Sequence, residues 1–161
     1  MNIVLFDTVE NRTQLLPLSY TRSVADMRIG ILTIKEKWER YFGQSLGVLT
    51  EDYLQPKYGA LSHDIETLFI ASNVFPNAQL VAEIQLLTAE HGLSFSDTII
   101  AFKTTIKVPH LASFKSIIPN LKYTSSVVAA QFVESPSAIF KYNGQEIEND
   151  FKLLTAGRIS K

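Results

Sequence analysis

The amino-acid sequence predicts an α/β fold in which helices flank a mainly parallel sheet. Three apolar runs bounded by polar residues, at positions 1–6, 67–71 and 98–102, have the length and composition of buried strands. The first two are each followed by a polar loop and an amphipathic helix, an order typical of right-handed βαβ units. A chain of 161 residues suits one domain with a good-sized core.

The composition excludes several classes of protein. The net charge of −1 shows none of the excess positive charge typical of nucleic-acid-binding proteins, so we expect no nucleic-acid partner. The absence of cysteine excludes disulfides and thiolate metal sites. The apolar N-terminus has no charged leader, and no apolar stretch is long enough to span a bilayer. We therefore expect a cytoplasmic protein without a membrane partner.

The first predicted strand ends at Asp7 and leads into a loop and a helix. In open α/β sheets, ligands bind just beyond the carboxyl ends of strands, where this loop begins. Thr33 and Glu36 form a capping box for the helix, and Gly43 is a plausible end. The residues expected on its apolar face are Ile34, Trp38, Tyr41 and Phe42. Those expected on its solvated face are Lys35, Lys37 and Arg40, beside Glu36 and Glu39.

The loop between this strand and helix carries three arginines, Arg12, Arg22 and Arg28. The guanidinium fork matches the geometry of phosphate and carboxylate groups, so one hypothesis is a site for a phosphorylated ligand. The alternative is a solvated loop whose arginines form surface ion pairs of little energetic consequence. For Asp26, one interpretation is purely structural: its carboxylate pairs with Arg22 or Arg28.

The second unit repeats this order. Residues 46–50 form a short strand, and the buried strand at 67–71 is followed by a loop that begins with Ser72 and Asn73. Asn77 can cap the next helix, which is predicted to end at Gly92. The residues at helical spacing in it are Leu80, Val81, Ile84 and Leu87.

The rest of the chain gives weaker signals. After the strand at 98–102, a short helix is predicted with Leu111, Phe114 and Ile118 on one face. Residues 127–133 are ambiguous between helix and strand. The segment 136–161 is more polar, and its expected anchors in the core are Ile139, Phe140, Phe151, Leu153 and Leu154.

One loop resembles the signature loop of sugar nucleotidyltransferases, which join a nucleoside triphosphate to a sugar 1-phosphate. In that family a glycine-rich loop ends in Gly-Thr-Arg, and a Pro-Leu-Thr segment, a second arginine and a helix follow. The corresponding residues here, in the same order, are Arg12, Pro17-Leu18-Ser19 and Thr21-Arg22. The chain resembles more closely a divergent bacterial branch of this family, the bifunctional UDP-N-acetylglucosamine diphosphorylases and glucosamine-1-phosphate N-acetyltransferases. The further motifs shared with that branch are Ala25-Asp26, Arg28-Ile29-Gly30, Leu32-Thr33-Ile34 and the segment Asp150 to Arg158.

This resemblance implies a Rossmann-like nucleotide-diphospho-sugar transferase fold and one nucleotidyltransferase-like domain over residues 1–161. Similar proteins continue into a C-terminal left-handed β-helix that holds their acyltransferase activity, and we expect these 161 residues to form the first domain alone. The implied substrates are a nucleoside triphosphate and a sugar 1-phosphate, with UTP and N-acetylglucosamine 1-phosphate expected. The implied cofactor is Mg²⁺. An attached β-helix acyltransferase domain is a further expected partner.

The resemblance also assigns roles to residues. It makes Arg12 and Arg22 catalytic, with Arg12 contacting the triphosphate. The substrate-binding residues that it implies are Asp7, Arg28, Ser72 and Asn73. The metal ligands stay unassigned, because the aspartate that binds magnesium in the standard enzymes corresponds to Asn73, a neutral residue.

The chain departs from the family pattern at the phosphate-binding loop. No glycine occurs between Asp7 and Arg12, and glycine permits close approach of backbone to phosphate. Glu10 lies in this interval and repels phosphate, while Ser23 and Val24 replace the usual proline and lysine. Two hypotheses follow: a nucleotidyltransferase, or a module that binds its ligand without turnover and positions or regulates an attached acyltransferase.

Overall fold

The computed structural model describes residues 1–61 and 66–157. Within these residues the central feature is a six-stranded sheet flanked by helices. Its strands are β1 (Asn2–Phe6), β2 (Gly47–Leu49), β3 (Thr67–Ala71), β4 (His91–Phe95), β5 (Thr98–Thr104) and β6 (Lys122–Ser125). The helices are α1 (Val9–Gln14), α2 (Ile34–Phe42), α3 (Gln55–Tyr58), α4 (Ala78–Gln85), α5 (Phe114–Ile117) and α6 (Pro136–Thr155).

The sheet is mostly parallel, as the sequence predicts. Its strand order is β2-β1-β3-β5-β4-β6, and β1 pairs in parallel with both β2 and β3. The predicted strand at 98–102 exists as β5, but it runs antiparallel to β3 and β4. A two-residue turn at Ser96 and Asp97, both with positive φ, joins β4 and β5 as a hairpin.

Four phenylalanines fill the core on one side of the sheet. Phe6, Phe69 and Phe102 come from β1, β3 and β5, and Phe114 of α5 packs against all three rings. The closest pair is Phe6 and Phe114, with ring centroids 5.0 Å apart in an edge-on arrangement. This packing holds the helical segment 111–120 against the sheet.

Helix α2 has the predicted ends and, with one exception, the predicted faces. Thr33 and Glu36 form the capping box, and Gly43 ends the helix in the left-handed conformation with φ 66°. The exception is Lys37, which is buried rather than solvated because it forms ion pairs with the carboxylates of Glu146 and Asp150. The Nζ–carboxylate distances are 2.6 and 2.5 Å.

The capping box makes one stability term depend on pH. The Thr33 N–H donates to the Glu36 carboxylate at 2.7 Å, which holds the pKa of Glu36 below its usual value, and Arg28 lowers it further. Because the pKa of Glu36 is lower in the folded state, its ionised carboxylate stabilises the fold at pH values above the unfolded-state pKa of about 4.3. This stabilisation is lost as the pH falls through the folded-state pKa. We expect Glu36→Ala to lower the free energy of unfolding by about 0.5 kcal/mol near neutral pH. Urea unfolding near pH 7 and near pH 3 measures this difference, which should shrink in acid.

Glu134→Ala, which removes an exposed carboxylate from a loop, is the control for this measurement. An equal effect of Glu36→Ala at both pH values would contradict the assigned role of the capping carboxylate.

The predicted end of the second helix at Gly92 is wrong. Asn77 caps α4 as expected, but the helix ends at Gln85, and Gly92 lies within β4. A Cβ at position 92 would lie 2.4 Å from the ring of Tyr123 on neighbouring β6. Glycine is therefore required here by close cross-strand packing rather than by a helix end.

The C-terminal segment differs most from expectation. Residues 127–133 form neither a helix nor a regular strand, and a single bridge joins Phe132 to Val74. Residues 136–155 form α6, in which the predicted anchors Phe140 and Phe151 are exposed. Its buried residues are instead Glu146 and Asp150, because their carboxylates meet Lys37.

No helix in the described ranges is both long and apolar enough to cross a membrane. Arg158, the last residue of the C-terminal segment that resembles the bacterial branch, lies outside the described residues.

Candidate functional site

The carboxyl ends of β1, β2 and β3 meet at a buried carboxylate, that of Asp7. Its Oδ2 accepts a hydrogen bond from Thr50, the residue after β2, at 2.6 Å. Its Oδ1 accepts from Ser72, the residue after β3, at 2.6 Å. The same oxygen accepts from the Ser23 hydroxyl at 3.0 Å and from the Val24 N–H at 3.1 Å. Asp7 therefore joins three strand ends to the arginine-containing loop.

Arg12 lies beside this carboxylate, and its side chain is occupied by protein atoms. Nη1 lies 3.3 Å from Asp7 Oδ2 and also donates to the Arg22 carbonyl. Nη2 donates to the Ser19 carbonyl and to the Tyr53 hydroxyl, both at 2.7 Å. Arg12 is only 7% exposed. Its guanidinium thus holds the loop together instead of presenting its donors to solvent.

The local sequence explains why Arg12 is turned inward. Thr8 caps α1 immediately after β1, and the Asn11 side chain accepts from the Thr8 N–H at 2.9 Å. This capping box replaces the glycine-rich loop of the standard pattern with a helix of one and a half turns. The helix carries Arg12 back over the strand ends, and the Asn11 amide donates to Ser72 at 3.5 Å.

The structure does not bring the three arginines together. Arg12 borders a small cavity of about 130 Å³, which neither Arg22 nor Arg28 lines. The Arg22 side chain is exposed and forms no hydrogen bond or ion pair within the described residues. Arg28 forms an exposed ion pair with Glu36 at 3.8 Å and donates to the Ile31 carbonyl.

Asp26 does not pair with either arginine, so that prediction is wrong. Its Oδ2 accepts a hydrogen bond from the Tyr58 hydroxyl at 2.6 Å and lies 3.5 Å from Lys57. Burial and the bond to Asp26 raise the pKa of Tyr58 above its ordinary value. The Tyr58 oxygen also accepts from the Ser23 N–H at 2.8 Å, which ties α3 to the loop.

The residues that the resemblance suggests near a magnesium ion do not fit that role as they stand. Both oxygens of Asp7 already accept hydrogen bonds from protein donors. Asn73 is buried, and its amide donates to the Val133 carbonyl at 3.4 Å. In residues 1–61 and 66–157, no group of three or more histidine, cysteine, aspartate or glutamate residues could hold a metal ion.

A cleft of about 430 Å³ opens beside these strand ends. On one side it is lined by the start of α1 with Glu10 and by Glu51, which follows β2. On the other side lies the helical segment held by the phenylalanine core. Among the described residues that line the cleft, Lys115 is the one basic side chain, and the apolar lining comes from Val9, Leu111, Phe114, Ile118 and Pro119.

Sequence reasoning identified Asp7 and Ser72 but missed Thr50, Tyr53 and Lys115. Thr50 was detectable, because it follows a predicted strand as Asp7 and Ser72 do, and parallel strand ends meet at one edge of a sheet. Tyr53 and Lys115 carried no such signal. Lys115 reaches the cleft through the packing of α5, which the weak periodicity of that segment did not reveal.

Comparison with known proteins adds one finding. A family model described as sugar nucleotidyl transferase matches residues 3–159, nearly the whole chain. No curated protein sequence matches the chain.

Proposed function

Because this chain belongs to the sugar nucleotidyl transferase family, we propose that it joins UTP to N-acetylglucosamine 1-phosphate. In this reaction a phosphate oxygen of the sugar 1-phosphate attacks the α-phosphorus of UTP. A new phosphorus–oxygen bond forms, the bond between the α- and β-phosphates breaks, and pyrophosphate leaves. The products are UDP-N-acetylglucosamine and pyrophosphate.

The observation that carries this proposal is the cleft at the carboxyl ends of β1 and β2. Ligands of α/β proteins bind at this edge of the sheet, and the volume of about 430 Å³ lies in the range of small-molecule pockets. Its apolar wall suits a base or a sugar face, and Lys115 supplies a positive charge. We propose that the triphosphate binds along this wall, with its phosphates toward Lys115.

The assigned residues then divide into two groups. Asp7, Arg12, Ser72 and Asn73 are buried and hydrogen-bonded to other protein groups, so we propose that they position the strand-end loops. Arg22 and Arg28 are exposed, and we propose that they contact substrate phosphates once a substrate is bound. Arg22 has no side-chain partner within the described residues, so it retains all its donors for a phosphate. Arg28 would exchange its exposed ion pair with Glu36 for the phosphate.

Magnesium enters this proposal with the nucleotide. Mg²⁺ usually keeps several waters and is held by one or two carboxylates together with substrate phosphates. Since both oxygens of Asp7 accept hydrogen bonds from protein groups and Asn73 offers only a neutral amide, we propose that the ion arrives bound to the triphosphate.

Lys115→Gln should lower the rate of pyrophosphate release by about a hundredfold to a thousandfold. Removing one charged group that stabilises developing phosphate charge typically has an effect of this order. The measurement is a coupled pyrophosphate assay with UTP, N-acetylglucosamine 1-phosphate and Mg²⁺. Lys107→Gln is the matched control, because Lys107 is also exposed but does not line the cleft. Equal rates for Lys115→Gln and the unaltered chain would show that Lys115 does not contact the substrate phosphates.

Calorimetric titration of UTP with Mg²⁺, followed by the same assay with other triphosphates and sugar phosphates, tests the reaction as a whole. Binding and pyrophosphate release with UTP and N-acetylglucosamine 1-phosphate support the proposal. Absence of both across all pairs would refute it.

A second candidate is a module that binds its ligand without turnover. The observation that favours it is the occupation of Asp7 and Arg12 by protein partners, together with Glu10 and Glu51 on the cleft wall. Such a module would position or regulate an attached acyltransferase domain. A sugar nucleotide that raises the melting temperature without any turnover would support this candidate against the enzyme.

A further inference from the structure

Helix α6 is held to the rest of the chain by a polar face. Glu146 and Asp150 are buried against Lys37 of α2. Asp150 Oδ2 also accepts hydrogen bonds from the N–H groups of Ile31 and Leu32, at 2.8 and 2.9 Å. Charged and backbone groups therefore provide much of the docking of this helix, together with Ile139 and Tyr142 near its start, which pack against the core. Its remaining large apolar side chains are left for another surface.

A different face of α6 exposes these apolar side chains. Phe140 is 84% exposed, Ile147 is 43% exposed and Phe151 is 61% exposed. At 3.6 residues per turn, this face lies about 100° around the helix from the buried carboxylates. The helix can therefore contact its own chain and a second helix at the same time.

The exposed residues of this face, with the half-buried Leu154, follow the spacing of a coiled-coil seam. Phe140, Gly144, Ile147, Phe151 and Leu154 recur at alternating intervals of four and three residues. We call these five residues the α6 seam. Such spacing keeps side chains on one narrow stripe, which in two-stranded coiled coils faces a partner helix. Exposed aromatic residues on a continuous stripe are unusual unless the stripe is covered.

We propose that a second copy of this chain covers the α6 seam by antiparallel pairing of the two α6 helices. In a pair with its two-fold axis midway between Gly144 and Ile147, Phe140 of each copy lies opposite Phe151 of the other. Ile147 of each copy then lies opposite Gly144 of the other. A Cβ built on Gly144 would meet no atom within 4 Å, so the space above it is open to a side chain. Phe140, Gly144, Ile147 and Phe151 thus pair with one another across the axis, as a two-fold interface requires, and Leu154 lies beyond them opposite Ser137 of the other copy.

The charges beside the seam favour the antiparallel arrangement. Lys141 and Glu148 are exposed on the flank that faces away from the rest of the chain. Antiparallel pairing brings Lys141 of each copy beside Glu148 of the other, so two opposite-charge contacts form. A parallel pair would set Gly144 opposite Gly144 and leave a gap at that layer. Flanking charges set helix orientation in this way in coiled coils.

Sedimentation equilibrium of the 161-residue chain over a wide concentration range tests the proposal. The unaltered chain should reach the mass of a dimer, and Ile147→Glu should weaken dimerisation at least about tenfold because it places a charge in the seam. Leu86→Glu is the matched control, since Leu86 is 82% exposed outside the seam. It should leave dimerisation unchanged. Circular dichroism confirms that both variants keep the fold.

A charge exchange tests the orientation. Lys141→Glu and Glu148→Lys should each weaken the dimer, and the two changes together should restore it. A chain that stays monomeric at every concentration overturns the proposal, and it then points to another occupant of the seam. A dimer that Ile147→Glu does not weaken, or a double charge exchange that fails to restore dimerisation, also overturns it.

Discussion

Replacing Asp7 by asparagine should lower the free energy of unfolding by about 3–5 kcal/mol, a large share of the roughly 5–15 kcal/mol typical of a domain. Asp7 is fully buried, and its carboxylate accepts hydrogen bonds from Thr50, Ser72 and Ser23. The variant leaves the buried guanidinium of Arg12 without its counter-charge. It also places an amide N–H₂ where donors now point. Urea denaturation measures the change.

Asp52→Asn is the matched control for this substitution. It removes the same charge from a side chain that is 79% exposed and whose one ion-pair partner among the described residues is His110, so we expect a change within about 0.5 kcal/mol. A further test is the double variant Asp7→Asn with Arg12→Met. If Asp7 and Arg12 act as a pair, the double variant should lose less stability than the sum of the two single variants. A loss below about 1 kcal/mol for Asp7→Asn would show that the Asp7 network is not what holds the strand ends together.

This prediction affects how activity measurements are interpreted. Asp7 and Arg12 occupy positions that the family resemblance assigns to substrate contact, but here they bind protein groups. A variant at either position will lose activity through misplacement of the loop or through unfolding. Lys115 and Arg22 are exposed, so substitutions there report on substrate with little effect on stability.

Lys37→Met should be as destabilising as Asp7→Asn, with an expected loss of about 3–5 kcal/mol. The Lys37 side chain is 2% exposed and provides the positive charge between Glu146 and Asp150. Methionine fills a similar volume but leaves two carboxylates buried without a cation. Because these carboxylates attach α6, we expect α6 to detach first. Hydrogen exchange of residues 136–155 should therefore accelerate more than exchange in β1 or β3.

Lys35→Met provides the control on the same helix. Lys35 lies two residues earlier and pairs with Glu39 at 3.5 Å on the partly exposed side, so its loss should cost no more than about 0.5 kcal/mol. Comparable destabilisation by the two substitutions would mean that burial of the Lys37 ion pairs is not what attaches α6. Uniform acceleration of exchange across the sheet would mean that α6 does not detach as a separate unit.

Local patterns were enough to predict the elements whose signals lie within a few residues. The strands β1, β3 and β5 are apolar runs, and the capping boxes and the left-handed Gly43 depend on neighbours three or four positions away. The hairpin of β4 and β5 was missed because its first strand carries His91 and Gly92, which do not form an apolar run. Gly92 is explained only by Tyr123, thirty-one positions later in the chain.

Only part of the candidate site was predicted from the sequence, because some of its contacts follow from local patterns and others depend on distant residues. Asp7 and Ser72 follow apolar strands, so their meeting at one sheet edge follows from parallel topology. The direction of the Arg12 side chain does not follow from spacing, because it depends on acceptors supplied by Ser19 and Tyr53. Whether a guanidinium faces a ligand or the protein depends on which acceptors the fold brings within hydrogen-bond distance.

The amino-acid sequence by itself determined the α/β class, the mainly parallel sheet, the capped helix α2 and the edge of the sheet at which the candidate site lies. Only the tertiary structure decided that Lys37 is buried, that α6 is attached by its carboxylates, and that Lys115 lines the cleft. The physical reason is the range of the interactions. Hydrophobic periodicity and helix capping act between near neighbours, whereas the pairing of Lys37 with Asp150 joins residues 113 positions apart.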